Sequence, residues 1–225
     1  MSKAILKLSL IVLISLPLAL YSGCGLIARL SSETSHEKRV PPEYDLAAPA
    51  DNSKVLVYVQ QPSWLKTPVD IRMHLTDAIN AKFAEKTSLT AERLFSYKQQ
   101  LAFRAAEPGR ATHSIFELAS GMGASAVLIV ELVDFELSTF AEKNLYTGSL
   151  RTQSCLFNTA GQRLWPETGK CRDITVGIDF ESGTAEKATD KLASAAAHCI
   201  VRYFYPCRKS HFNISEEKRY ETDLW

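Results

Sequence analysis

The chain has 225 residues, with 26 lysines and arginines against 25 aspartates and glutamates and a formal net charge of +1. Two of the basic residues, Lys3 and Lys7, lie in the opening segment, so the remainder is near neutral and carries no basic field to draw in nucleic acid or an anionic membrane surface. The roughly 170 residues from 54 onward suit one domain with its own hydrophobic core.

Residues 1–24, MSKAILKLSLIVLISLPLALYSGC, begin with Lys3 and Lys7, continue through an uncharged apolar run over 8–20, and end with Ser22 and Gly23 before Cys24. That order is the grammar of a secretory signal peptide. The run falls short of the ~20 residues of a membrane-spanning helix. Counted on to Ala28 it reaches that length, which leaves an uncleaved anchor, or cleavage without lipidation, as the alternatives. Leu20-Tyr21-Ser22-Gly23-Cys24 resembles a bacterial lipobox, with Tyr21 standing where that family prefers Leu. The resemblance implies a signal peptide over 1–23 and acylation of Cys24, each buried CH₂ adding about 0.8 kcal/mol of membrane attachment. Gly25 follows the cysteine and Asp does not, which by resemblance to lipoprotein sorting implies the outer membrane, facing the periplasm.

With Cys24 lipidated, Cys155, Cys171, Cys199 and Cys207 remain, an even set in an exported chain for which two disulfides are expected. Three pairings are open, with the local Cys155–Cys171 and Cys199–Cys207 pairing slightly favoured. Buried thiols are the alternative, because Cys199 lies on an apolar helix face. The spacing does not suit a zinc knuckle.

Residues 24–53 read as the lipidated cysteine and a tether. They are polar and mixed in charge, with Pro41, Pro42 and Pro49, and offer little apolar surface to offset ordering. A globular domain is expected over 54–206. Residues 54–60, KVLVYVQ, are a strong strand. Over 69–86 the period changes to helical, with Ile71, Leu75, Ala78, Ile79 and Phe83 on one side and Arg72, Asp77, Asn80 and Lys82 on the other. A short strand is expected at 88–91, helices at 93–104 and 114–122, and a second strong, central strand at 126–137. Residues 147–157 alternate Leu150, Thr152, Ser154 and Leu156 against Arg151, Gln153 and Cys155, a strand with one polar face. Asn158-Thr159-Ala160-Gly161 is turn chemistry leading into a return strand to Trp165, and 172–180 continues it. The longest helix is predicted at 184–204, stopped by Pro206, with a polar C-terminal tail over 207–225. The fold class is therefore α/β (α+β): a mixed sheet of about five strands with amphipathic helices packed on it, in a single domain.

Catalytic and cofactor chemistry finds little support. Gly121-Met122-Gly123 leaves a helix and enters a strand, the reverse of a phosphate cradle, and reads as a helix cap. His36, His74, His113, His198 and His211 have no metal-ligand spacing, and there is no nucleophile elbow. Strict strand alternation puts Asp134 and Glu136 on one face and Glu131 on the other, as solvent-facing charges. Trp165 is expected to pack over the sheet. Trp64, on a loop between Pro62 and Pro68, is the residue most suited to anchor a partner.

The succession of lipidated cysteine, polar tether, VLVYV strand, amphipathic helix, the GASAVLIVELVDF strand and TAGQRLW resembles the periplasmic lipoproteins of the CsgG, LpoB and TolB amino-terminal-domain type. Gly123-Ala124 matches one motif of that group, and residues 158–165 match its Asp-x-x-Thr-Gly-x-x-x-Trp hairpin loosely. The resemblance covers roughly 54–204 and implies helices packed on a mixed sheet and a role in binding other envelope proteins. It does not extend to a pore, because 137–148 lacks strands of the roughly 9–11 residues that a spanning hairpin needs. The expected function is a membrane-anchored periplasmic lipoprotein, non-catalytic and without cofactor or metal, that binds an envelope protein as adaptor or activator. A small-molecule or lipid carrier is the alternative, which demands a large apolar pocket, and a hydrolase with a dispersed site comes last.

Overall fold

A computed structural model of the chain describes residues 38–46, 53–106, 109, 113–140 and 144–212. The expected signal peptide, Cys24 and the first part of the tether lie outside the described residues. The folded unit begins at Arg39. Its elements are β1 (Arg39–Val40), β2 (Val55–Gln60), α1 (Ile71–Lys86), α2 (Tyr97–Ala105), α3 (Ile115–Gly121), β3 (Ala126–Phe140), β4 (Leu145–Asn158), β5 (Arg163–Trp165), β6 (Arg172–Ser182), α4 (Ala185–Val201) and β7 (Cys207–Arg208).

The five-stranded sheet is mixed, as the sequence predicts. β2 runs parallel to β3, β3 and β4 are antiparallel, and both β5 and β6 pair antiparallel with β4. The turn between β4 and β5 uses the chemistry expected of it. Gly161 takes φ +80°, and the Asn158 carboxamide oxygen accepts from the backbone N–H groups of Ala160 and Gln162. In place of the short strand expected at 88–91 there is one turn of 3₁₀ helix, Ala91–Arg93. Thr87 and Leu89 are drawn into capping α1, the Thr87 hydroxyl donating to the Phe83 carbonyl and accepting from the Leu89 N–H.

One face of the sheet carries the main core. Val55, Val57 and Val59 of β2, Leu128, Val130 and Leu132 of β3, Leu150 and Leu156 of β4, and Ile174 and Val176 of β6 meet Leu75, Ile79 and Phe83 of α1 and the alanine-rich inner face of α4. The small side chains of α4 let it lie close to the sheet. Gly148 answers them from β4, where an added Cβ would come within 2.6 Å of the Glu136 carbonyl and 3.3 Å of Leu192. On the opposite face Leu56 and Val127 pack against Leu118 and Ala119 of α3, with Phe103 of α2 beside them. α3 ends in the glycine cap that the sequence indicates: Gly123 has φ +76° and the Ala124 N–H donates to the Ala119 carbonyl.

The structure extends the domain at both ends. The tether expected as far as residue 53 is docked over 39–46: β1 pairs with β7, Leu46 is buried, and the Tyr44 ring meets Phe204 edge-on at 6.5 Å. Val40, Tyr44 and Leu46 supply enough apolar surface to hold a stretch that is otherwise polar and proline-rich. Glu43 fastens it. Its carboxylate accepts from the indole N–H of buried Trp165 at 2.9 Å and from Arg172 at 2.7 Å, and its own N–H donates to the Tyr203 carbonyl. At the other end β7 and a helical turn, Lys209–Phe212, belong to the domain, with Phe212 against the Tyr203 ring at 5.4 Å.

Cys155 and Cys171 are joined in a disulfide with Cα atoms 5.1 Å apart, closing the stretch that contains β5. The second expected bridge does not form. Cys199 and Cys207 are buried thiols, Cys199 among the core side chains of α4 and Cys207 opposite Val40, where cysteine serves as a small hydrophobe. Reduction should therefore raise the intact mass of the protein by two hydrogens, and a gain of four would show that the buried thiols are bridged.

Glu43→Ala should cost about 1–3 kcal/mol, because it leaves a buried indole N–H without its acceptor. The thermal midpoint should fall by about 2–4 °C per kcal/mol. An unchanged midpoint would mean that the docked segment adds nothing to the domain.

Candidate partner-binding surface

The ten residues between β2 and α1 emerge at the carboxyl end of a parallel strand, the side of an α/β sheet where exposed loops accumulate. Pro62 and Pro68 keep the segment out of both neighbouring elements. The loop is braced from within. The Leu65 N–H donates to the Pro62 carbonyl, the Gln61 carboxamide to the Leu65 carbonyl at 2.7 Å, and the Thr67 hydroxyl to the Val69 carbonyl at 2.7 Å. Leu65 turns into the core at 7% exposure, and its neighbour Trp64 stands out at 67%. The same loop forms a cleft of ≈ 390 Å³, lined by Gln61, Ser63, Lys66, Thr67, Asp70 and Arg72 among others, with Trp64 outside the lining.

At the cleft's end Asp70 caps α1. Its carboxylate accepts from the Arg72 backbone N–H at 3.2 Å, from Arg72 Nε and Nη2 at 2.9 Å each, and from the Tyr97 hydroxyl at 3.2 Å. The Arg72 hydrogen bond, against the opposing effect of burial, holds the Asp70 carboxyl below its ordinary value. Burial pushes the Tyr97 phenol up, and Asp70 adds to that.

Two stacked pairs extend the surface. The Arg72 guanidinium lies 5.8 Å from the Tyr97 ring centre, and the Arg104 guanidinium 5.3 Å from that of Tyr58, with Nη2 3.3 Å from the Tyr58 hydroxyl. α2 is positioned for this by two devices. Ser96 and Gln99 form a capping box at its start, and the buried Gln100 carboxamide donates to the Val57 carbonyl of β2 at 2.9 Å. Tyr97 and Arg104, seven apart, then present on one helix face. Tryptophan, tyrosine and arginine on a braced convex rim with an adjoining cleft are the residue types that dominate binding energy at protein interfaces.

Of the residues singled out in the sequence, Trp64 is exposed and Trp165 is buried at 1%, packed 4.8 Å from the Phe204 ring. Tyr58, Asp70, Arg72, Tyr97 and Arg104 escape a linear reading, which assigns Arg72 only to the polar side of a helix. The usable signals are an Asp-x-Arg at a helix start and a Tyr and Arg seven apart. A second pair of exposed rings, Phe140 and Phe180, meets at 5.9 Å at the far end of the β3, β4 and β6 ribbon.

The remaining charged groups are accounted for structurally. A bulge at Val133 shifts the register between Leu132 and Asp134, and this corrects the alternation expected from sequence. Glu131, Asp134 and Glu136 all stand on the same exposed face, opposite Gln153, Arg151 and Ser149. Arg151 is engaged by Asp173. His74 Nδ1 lies 2.5 Å from Asp190 Oδ1 and joins α1 to α4. Lys86 and Lys82 hold the Glu85 carboxyl down at about 2 on the surface. Among the described residues no group of three or more His, Cys, Asp or Glu is placed to hold a metal ion, and no helix is long and apolar enough to cross a membrane. The space between α1, α4 and the sheet, where a carrier would need its cavity, is filled by Leu75, Ile79, Phe83, Leu192 and Ile200, all fully buried.

No protein-family model matches the chain, and no curated protein matches it. Similar solved structures include the lipoprotein GNA1162 from Neisseria meningitidis, at 14% identity over 66% of this chain and 98% of that one, with a TM-score of 0.40. The LpoB C-terminal domain from Salmonella enterica matches at 14% identity over 57% and 83%, with a TM-score of 0.31. A minor lipoprotein from Acinetobacter baumannii matches at 9% identity over 65% and 91%, with a TM-score of 0.30.

Asp70→Ala should remove the α1 cap at a cost of about 0.5–2 kcal/mol near neutral pH. The folded-state value lies below the ordinary 3.8, so the unfolded chain binds the proton more readily and the contribution is present above that pH. As pH falls through the lowered folded value the contribution is lost. Denaturant midpoints of wild type and variant should therefore converge in acid, and a gap that is constant with pH would show that the Asp70 charge is immaterial.

Proposed function

We propose that the chain is a non-catalytic lipoprotein of the bacterial cell envelope that docks a partner protein through the Trp64 loop and the adjoining Tyr58, Arg72, Tyr97 and Arg104. The observation that carries this reading is Trp64: a large aromatic side chain left 67% exposed on a loop whose own hydrogen bonds fix it in place. A tryptophan so placed loses little conformational freedom on binding and has a large apolar area to bury.

In this reading residues 1–23 are removed, Cys24 carries the acyl chains, and a tether ending near Lys38 holds the domain off the bilayer. The basic start, apolar run and terminal cysteine support this, and the Cys155–Cys171 bridge suits an oxidising compartment. The outer membrane, with the domain facing the periplasm, is the proposed location, since Gly25 follows the cysteine. The role is that of an adaptor or activator: positioning and engagement, with no bond made or broken by this chain.

The test is photo-crosslinking in intact cells from a reactive amino acid placed at Ser63. One envelope protein should be captured in wild type, with yield falling about tenfold or more in Trp64→Ala, the scale of a hot-spot loss. Capture that is indifferent to Trp64→Ala would sink the surface. Cys24→Ala should leave an unlipidated precursor, and identical processing and membrane partition would sink the anchor.

A further inference from the structure

Resting on the docking role of the Trp64 loop, we propose that the segment received there is an acidic, extended peptide of the partner protein, its carboxylates taken by Lys66, Arg72 and Arg104 and an apolar side chain laid against Trp64. Among the described residues that line the cleft of the Trp64 loop, Asp70 is the one carboxylate. That carboxylate is already saturated: Oδ1 accepts from the Arg72 backbone N–H and Nε, and Oδ2 from Arg72 Nη2 and the Tyr97 hydroxyl. It offers an incoming cation no free acceptor, while it fixes the Arg72 guanidinium and leaves Nη1 outside the fork.

The other cations are uncommitted. Arg104 meets the ring and hydroxyl of Tyr58, and Lys66 is exposed in the cleft lining; among the described residues neither is paired with a carboxylate. A guanidinium stacked on a tyrosine keeps its planar N–H edge presented for bidentate capture of a carboxylate, at less loss of side-chain freedom than an unsupported one. The surface therefore holds three fixed or poised cations and one neutralised acid, with an exposed indole on the loop that forms the cleft. A partner with the opposite pattern, carboxylates interleaved with apolar side chains, is the one it complements.

The experiment uses the full-length lipoprotein in non-ionic detergent. Its probes are a fluorescein-labelled nonapeptide alternating glutamate with phenylalanine or leucine, and the lysine counterpart, followed by anisotropy. The glutamate peptide should bind about tenfold or more tightly than the lysine one, and weaken as salt is raised. The Lys66→Gln/Arg104→Gln double variant should lose about tenfold in affinity with its thermal midpoint unchanged, and Trp64→Ala should weaken both peptides alike. Equal affinity for the two peptides, no binding of either, or full binding by the folded double variant would overturn the proposal. So would a preference for phosphatidylglycerol vesicles over the glutamate peptide. If crosslinking at Ser63 captures a Trp64-dependent partner while the peptide test fails, the docking surface stands and its acidic ligand does not.

Discussion

The pairing of β3 with β4, from Ala126 opposite Asn158 to Phe140 opposite Leu145, is the constraint from which the rest of the domain follows. Both strands run longer than the partners on their outer edges. β2 borders only the first part of β3, and β4 gives its other edge to β5 near one end and β6 along the rest. The faces are divided in the same way. α1 and α4 cover one face as far as Leu137 of β3, whereas α3 and Phe103 of α2 cover only the part of the other face that lies beside β2. The uncovered remainder of that face is where the carboxylates of β3 sit.

Because β2 stops at Gln60 while β3 continues, the chain must leave the sheet beside a strand it no longer pairs with, and the Trp64 loop is that departure. Leu65 turns inward and Trp64 turns out, on a loop braced by the bond from the Gln61 carboxamide to the Leu65 carbonyl. The cap of α1 then does a second job. Asp70 satisfies a helix N-terminus and orders Arg72 and Tyr97 with the same two oxygens. Gln100, buried against β2, sets the height at which Tyr97 and Arg104 project. A stable helix start and an ordered surface are thus consequences of the same contacts.

Much of this architecture is written in local patterns. Alternation over β4 places Leu150, Thr152, Ser154 and Leu156 on the core face, the change to a helical period after residue 69 locates α1, and the Asn158–Gly161 turn locates the hairpin. What escapes is whatever depends on distant residues or on a single irregularity. One extra residue at Val133 turns Asp134 and Glu136 to the other face, because alternation carries no information past a bulge. The segment at 39–46 looks too polar to be ordered until its partners Trp165, Arg172 and Tyr203 are brought to it. Cys199 and Cys207 invite pairing by proximity in sequence, yet each is absorbed by the core. Trp64 is visible as an aromatic between prolines, whereas Tyr58, Arg72, Tyr97 and Arg104 come from β2, α1 and α2 and pair only in the folded chain.

The clasp at Glu43 also sets an order of events during synthesis. The first residues of the domain to emerge, 39–46, are secured by Trp165 and Arg172 and then by Tyr203 and the strand at Cys207–Arg208, which come late. No nascent fragment short of the C-terminal segment can complete that contact, since contacts of such sequence separation form only after the intervening chain is available. A polypeptide arranged in this way keeps its leading end unfastened until residues 203–208 have been made. That property suits a chain that must thread through a narrow channel before it folds.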